Sequence, residues 1–353
     1  MLRDKAPIAA VKRVPRVLEK PPRPEESGPV LLAPLSSDRP LPLLARPDGP
    51  GVDLIGWARE NRERIDLLLA EHGGILFRGF DIPGIEALQQ LIGAVSAEDL
   101  LEYRYRSTPR TEIAGKIYSS TEYPANQEIP LHNENSYSDS WALKIFFFCE
   151  LPATGGGGMT PIADSARVYD RISPAVRERF AAKKVMYVRN YGGGADLPWQ
   201  EVFQTPDPAA VESFCREHGI EAEWLDDGRL RTRQICQAVA RHPKTGKRLW
   251  FNQAHLFHVS SLEPEIRDTL LEIFGPDELP RNAFYGDGSP LEESALDEIR
   301  QAYRDEQVAF PWERSDVLLL DNMAVAHGRT PYLGERKVRV GMTELVEGSA
   351  IAD

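Results

Sequence analysis

The chain is poor in cysteine: Cys149, Cys215 and Cys236 are the only three in 353 residues. They are too few and too scattered for a disulfide framework. That shortage suits a reducing compartment and predicts a cytoplasmic protein. No stretch approaches the roughly 18 consecutive apolar residues that a membrane-spanning helix needs. The opening MLRDKAPIAAVKR also lacks the apolar segment of a secretory signal. Positive charge is in short supply. Lys and Arg number 42 against 54 Asp and Glu, a formal net charge of −12. Neither a nucleic acid nor an anionic membrane is therefore an expected partner, because neither polyanion would be attracted. Small anions are not excluded, since they need only one or two well-placed cations. Internal repeats are missing as well. What is left, 42% hydrophobic and 27% charged residues, is an ordinary globular composition. Its length fits one large domain or two.

Proline density and a local excess of Lys and Arg mark residues 1–50 as an N-terminal arm, extended around the core or partly disordered. Residues 51–353 read as a single domain with helical insertions. Trp57, Ile65, Leu68 and Leu69 recur at helical spacing until Gly73-Gly74 stops them. GILFRGF (74–80) follows as a buried strand, then Ile85, Leu88, Leu91 and Ile92 as a second amphipathic helix. Between about 113 and 150 the period shortens to two. IAGKIYSSTEYP, IPLHNENSYSD and ALKIFFFCEL are expected strands separated by turn residues. Ser173-Pro174 and Asp207-Pro208 each open a helix, and two more are expected over 263–274 and 292–305. VLLLDN, AVAHGR and KVRVGMTEL close the chain as strands. This pattern predicts a mainly β fold with α elements, a sandwich or jelly roll wrapped by helices.

Three local features carry chemistry. In Leu131-His132-Asn133-Glu134, a strand would turn His132 and Glu134 to one face. An imidazole beside a carboxylate is two thirds of a 2-His-1-carboxylate site for Fe(II). A bare H-x-E is also common as two solvated residues. His327, after the apolar VLLLDN and a short apolar stretch, is a candidate third ligand or a satisfied core histidine. Nine residues on stands Arg336, whose guanidinium suits bidentate clamping of a carboxylate, or a surface ion pair with Glu335. Thr160, in Gly-Gly-Met-Thr-Pro after a glycine run, offers a hydroxyl to the same carboxylate, or simply closes a turn. His255-x-x-His258 and Cys215-x-x-His218 lack partners at metal-ligand spacing and read as structural. Asn135, Tyr137, Trp141, Arg189, Asn190, Asn252 and Gln253 lie near the motif strands and are candidates for a pocket lining.

Taken in chain order, H-x-E, G-G-x-T-P and H-G-R-x-P-Y-x-G-x-R resemble the TauD/TfdA superfamily of Fe(II)/2-oxoglutarate-dependent oxygenases, over about residues 74–345. LHNENSY, FFFCELPATGGGGMTPIADSARVYDRI and LLLDNMAVAHGR look most like its SyrP-type subgroup, which accompanies peptide-antibiotic assembly lines. The resemblance implies a double-stranded β-helix. It implies His132, Glu134 and His327 as the metal ligands and catalytic centre, with Arg336 and Thr160 holding 2-oxoglutarate. Many members carry Asp where this chain has Glu134, but some that oxidise amino-acid-like substrates use Glu. Halogenating relatives carry a small residue there, so Glu134 excludes that outcome. Arg339 and Lys337 stand close to Arg336, and strand alternation lets only one set face the metal.

The implied activity is hydroxylation of an amino acid, or of an aminoacyl or acyl group on a carrier protein, with Fe(II), 2-oxoglutarate and O2. The same centre giving desaturation or cyclisation is one alternative. A non-catalytic jelly-roll binding or regulatory protein is another. Oligomeric state is not legible from the sequence.

Overall fold

The computed structural model describes residues 28–348, apart from 37–38, 104, 106–107, 109, 122 and 226–227. Two facing sheets organise it. The large one has eight strands in the order Val30–Ser36, Arg39–Pro47, Gly74–Phe77, Val317–Asp321, Ser140–Leu151, Lys337–Glu347, Ile117–Ser119 and Glu112–Ala114. The small one has three: Ile129–His132, Val325–Arg329 and Ile162–Asp164, with Val325–Arg329 in the middle. Every pairing in both is antiparallel except that of Arg39–Pro47 with Gly74–Phe77. Together they form the expected jelly roll.

The central strand of the large sheet, SWALKIFFFCEL, is buried on both faces, and this explains its continuous apolar run. Ile145, Phe147 and Cys149 point toward the small sheet, in one core with Val325, Val338 and Val340. Phe146 and Phe148 point the other way, under the helices Leu54–Glu60, Arg62–His72 and Ile85–Val95. One of the two charged residues in that strand, Lys144, is completely buried. Its ammonium bridges Asp66 (2.6 Å) and Glu344 (2.7 Å), tying a covering helix to the neighbouring strand. A four-stranded sheet, Ile220–Trp224, Leu230–Cys236, Val185–Tyr191 and Arg281–Tyr285, is inserted with its own aromatic core.

The structure sharpens three expectations. The helical run from Trp57 to Leu69 is broken at Asn61, whose N–H and side-chain amide both donate to the Trp57 carbonyl. The arm assigned to residues 1–50 is not separate over its described part. Val30–Ser36 and Arg39–Pro47 are strands of the large sheet, the second paired through Leu43–Ala45. Pro40 and Pro42 fall outside that parallel ladder, so their missing N–H groups cost no bond within it. Residues 1–27 lie outside the described residues. Finally, IPLHNENSYSD is a strand only to His132, and residues 133–139 turn instead.

Candidate metal centre

His132 and His327 meet because the small sheet pairs them directly across two adjacent strands. The register places their rings 4.7 Å apart. Gly328 permits this close approach, since a Cβ there would lie 2.5 Å from the Ile129 carbonyl oxygen. His132 Nδ1 lies 2.8 Å from the Pro130 carbonyl. A carbonyl only accepts, so Nδ1 carries the proton and Nε2 keeps its lone pair. His327 is buried, with the Phe147 ring 4.8 Å away. Burial holds both imidazoles below their ordinary pKa, so His132 and His327 are neutral at physiological pH.

Glu134 reaches the same point by a different route from the one its sequence spacing suggests. It sits in the turn after His132, ahead of Asn135 at φ +56°. Asn322 pins that turn: its Oδ1 accepts from the Glu134 N–H (2.7 Å), and its Nδ2 donates to the Glu134 carbonyl (3.0 Å). Asn133 reaches back to the Asn322 carbonyl at 2.7 Å. Burial alone would raise the Glu134 pKa, but the Arg110 guanidinium, helped by the Tyr103 hydroxyl, outweighs it and keeps the carboxylate ionised. One ligand atom from each of His132, Glu134 and His327 falls within 4.8 Å of the others. Among the described residues this is the one such cluster. His327 Nε2 and Glu134 Oε2 are 3.9 Å apart, too far for a hydrogen bond. His327 Nδ1 is buried without a hydrogen-bond partner among the described residues. Two neutral imidazoles, one ionised carboxylate and an orphaned ring nitrogen fit a divalent metal of the Fe(II) type.

Beside this cluster lies a pocket, partly open to solvent, lined by His132, His327, Arg110, Thr160, Arg329 and Arg336 among others. Arg336, Val338 and Val340 line it together, as alternation along a strand requires. Arg339 points elsewhere, paired with Glu150 at 2.5 Å, and Lys337 pairs with Glu335. Arg336 Nε donates to the Gly158 carbonyl at 2.9 Å. Gly158, at φ +66°, is required for this contact, because a Cβ would meet the Arg336 side chain at 2.8 Å. Burial, with Arg329 nearby, pushes the Arg336 pKa down to about 10. Thr160 is buried, and its Oγ1 accepts from the Trp312 indole at 3.1 Å, so its own O–H is oriented to donate elsewhere.

The sequence did not single out Arg110, Tyr103, Asn322 or Arg329 as part of this site. Arg110 Nη2 donates to Glu134 Oε2 at 2.5 Å and the Tyr103 hydroxyl to Oε1 at 3.1 Å. Only a signal linking positions 24 and 31 residues upstream to Glu134 would have found them. The other nominated residues do not line the pocket. Asn252 donates to the Ala238 carbonyl and Gln253 to that of Asn133, while Tyr137 and Trp141 are buried in aromatic packing. His255 bonds the Leu131 carbonyl and stacks on Tyr303, a structural role as expected.

Asn322 is the outer residue with most to lose. Asn322→Ala is expected to weaken metal affinity by about tenfold or more, the usual cost of losing an outer partner of a ligand. Isothermal titration with Mn(II) checks this. An unchanged affinity would show that the turn holds Glu134 without the amide.

The family model for "Taurine catabolism dioxygenase TauD, TfdA family" matches residues 37–342. The dapdiamide synthesis protein DdaC of Enterobacter agglomerans is 44% identical over 286 residues, 81% of this chain and 86% of that protein. A clavaminate synthase-like protein of Arabidopsis thaliana is 30% identical over 321 residues, 88% and 92% of the two chains. The solved structure of PvcB from Pseudomonas aeruginosa superposes with a TM-score of 0.56 at 16% identity, covering 92% of this chain and 96% of its own. No helix among the described residues is long and apolar enough to cross a membrane. The fold and the sequence relationships agree, and this chain belongs to the TauD/TfdA family of Fe(II)/2-oxoglutarate-dependent dioxygenases.

Proposed function

We propose that this dioxygenase hydroxylates an amino acid, or an aminoacyl or acyl group held on a carrier protein, oxidising an unactivated C–H with release of succinate and CO2. The observation that carries the reading is the convergence of His132, Glu134 and His327 within 4.8 Å. In this reading those three residues hold Fe(II), and Arg336 with Thr160 holds the far carboxylate of 2-oxoglutarate. Bound together, the ferrous ion and 2-oxoglutarate supply the activation of O2. The protein's own part is orientation. Pro130 fixes the His132 tautomer, Asn322 fixes the Glu134 backbone, and the Phe147 ring shields His327 from water. Arg336 stays charged throughout the neutral range, since even its lowered pKa of about 10 lies above it. The relation to a dapdiamide synthesis protein supports a substrate in natural-product assembly.

Anaerobic titration with Fe(II) and 2-oxoglutarate tests the centre. A weak visible charge-transfer band is expected when the keto-acid chelates an open-sided ferrous site, and its absence would remove the basis of the proposal. Succinate release, compared between free amino acids and the same residues loaded on a carrier protein, tests the substrate class. No stimulation by either would rule that class out.

A further inference from the structure

Arg110 lies closer to a candidate metal ligand than any other cation around the pocket. Its side chain is 3% exposed, and Nη2 is 2.5 Å from Glu134 Oε2. That oxygen is the one 3.9 Å from His327 Nε2, so it is turned toward the histidines. The carboxylate's other oxygen is already held by the Tyr103 hydroxyl, and the Tyr103 ring lies 4.6 Å from the Arg110 guanidinium carbon. Tyr103 thus orients Glu134 from Oε1, and Arg110 places a full positive charge on the oxygen aimed at the metal position. The other two guanidiniums of the pocket are directed elsewhere. Arg329 donates to the carbonyls of Tyr123, Pro124 and Gln127, and Arg336 to that of Gly158.

We propose that Arg110 competes with the divalent metal for Glu134 Oε2 and thereby makes metal affinity depend on the dianionic co-substrate. The proposal rests on the reading of Glu134 as a ligand. Two cations on one buried carboxylate oxygen repel each other more strongly than they would in water. Taken alone, the metal binds against that repulsion. A dianion entering the pocket that Arg110 lines offsets the excess positive charge and relieves it. By linkage, the metal tightens 2-oxoglutarate by the same factor that 2-oxoglutarate tightens the metal. Arg110 is a positioning residue in this scheme, acting through Glu134.

The test is Mn(II) titration of the full chain with and without N-oxalylglycine, a non-reacting analogue of 2-oxoglutarate. Arg110→Gln removes the charge. It is expected to bind Mn(II) alone about tenfold tighter than the unmodified chain, because a buried like charge is removed from the ion's surroundings. The gain from N-oxalylglycine is expected to shrink correspondingly. Lost packing alone cannot tighten a metal site, so tighter binding separates the proposal from a structural role. Equal or weaker binding by Arg110→Gln overturns it and makes Arg110 a brace for Glu134. Should that variant not fold, Arg110→Lys, which keeps the charge but retracts it from Oε2, answers in the same sense: tighter supports, equal or weaker overturns. Glu134→Ala is the control. If it leaves Mn(II) affinity unchanged, the ligand reading itself fails. If it abolishes binding while the Arg110 variants do not tighten, only the present inference fails.

Discussion

His132→Ala is expected to abolish succinate formation and to weaken metal affinity by more than about a hundredfold, the upper end of what losing an outer partner of a ligand already costs. His132 is one of three residues at the cluster, and its tautomer is fixed by the Pro130 carbonyl. Two other buried imidazoles are already committed: His255 to the Leu131 carbonyl, and His242 to Asp321. The substitution removes a half-buried ring at the end of a strand, so the fold should survive. Far-ultraviolet circular dichroism unchanged from the unmodified chain, with Mn(II) binding lost, is the combined result expected. Residual succinate release at a tenth of the original rate would place the metal elsewhere.

Arg336→Ala is expected to raise the 2-oxoglutarate requirement by about a hundredfold while leaving the metal bound. A buried charge-assisted hydrogen bond contributes about 1.5–3 kcal/mol, and 2.7 kcal/mol corresponds to about a hundredfold. The loss should appear in KM for 2-oxoglutarate, measured by succinate release at saturating Fe(II). Arg339→Ala is the control. That side chain pairs with Glu150 away from the pocket, so its removal should leave KM unchanged. The reverse pattern would mean that the final strand presents its other face. The pH dependence follows the same logic. The pKa of Arg336 is lowered to about 10 by burial and by Arg329, so a carboxylate held by it is retained through neutral pH and released only as pH rises toward that value.

Much of the site was legible because its chemistry is local. H-x-E and the final arginine announce their donor types wherever the chain goes, and alternation correctly separated Arg336 from Arg339. The strand argument for His132 and Glu134 names a pair that the structure does bring together, though by another geometry. The strand stops at His132, and Glu134 is swung into place by a turn that Asn322 clamps. The arm expected over residues 1–50 illustrates a related limit. Prolines read as unpaired, extended chain, but a sheet also accepts extended chain where the ladder needs no N–H from the proline, and residues 30–36 and 39–47 are strands there. Arg110 and Tyr103 carried no local mark at all.

By itself the sequence determined which atoms are available: two imidazoles, a carboxylate, a threonine hydroxyl and a guanidinium, in the order and spacing shared with a family of oxygenases. Donor chemistry is a property of single side chains, so it survives being read one residue at a time. Only the tertiary structure decided that 195 residues of chain would close to bring His132 against His327, that Asn322 would grip Glu134, and that Arg110 would share its oxygen. Those choices depend on strand register and on buried hydrogen bonds between distant segments. Such contacts gain their strength only once packing excludes water, and no local pattern specifies them.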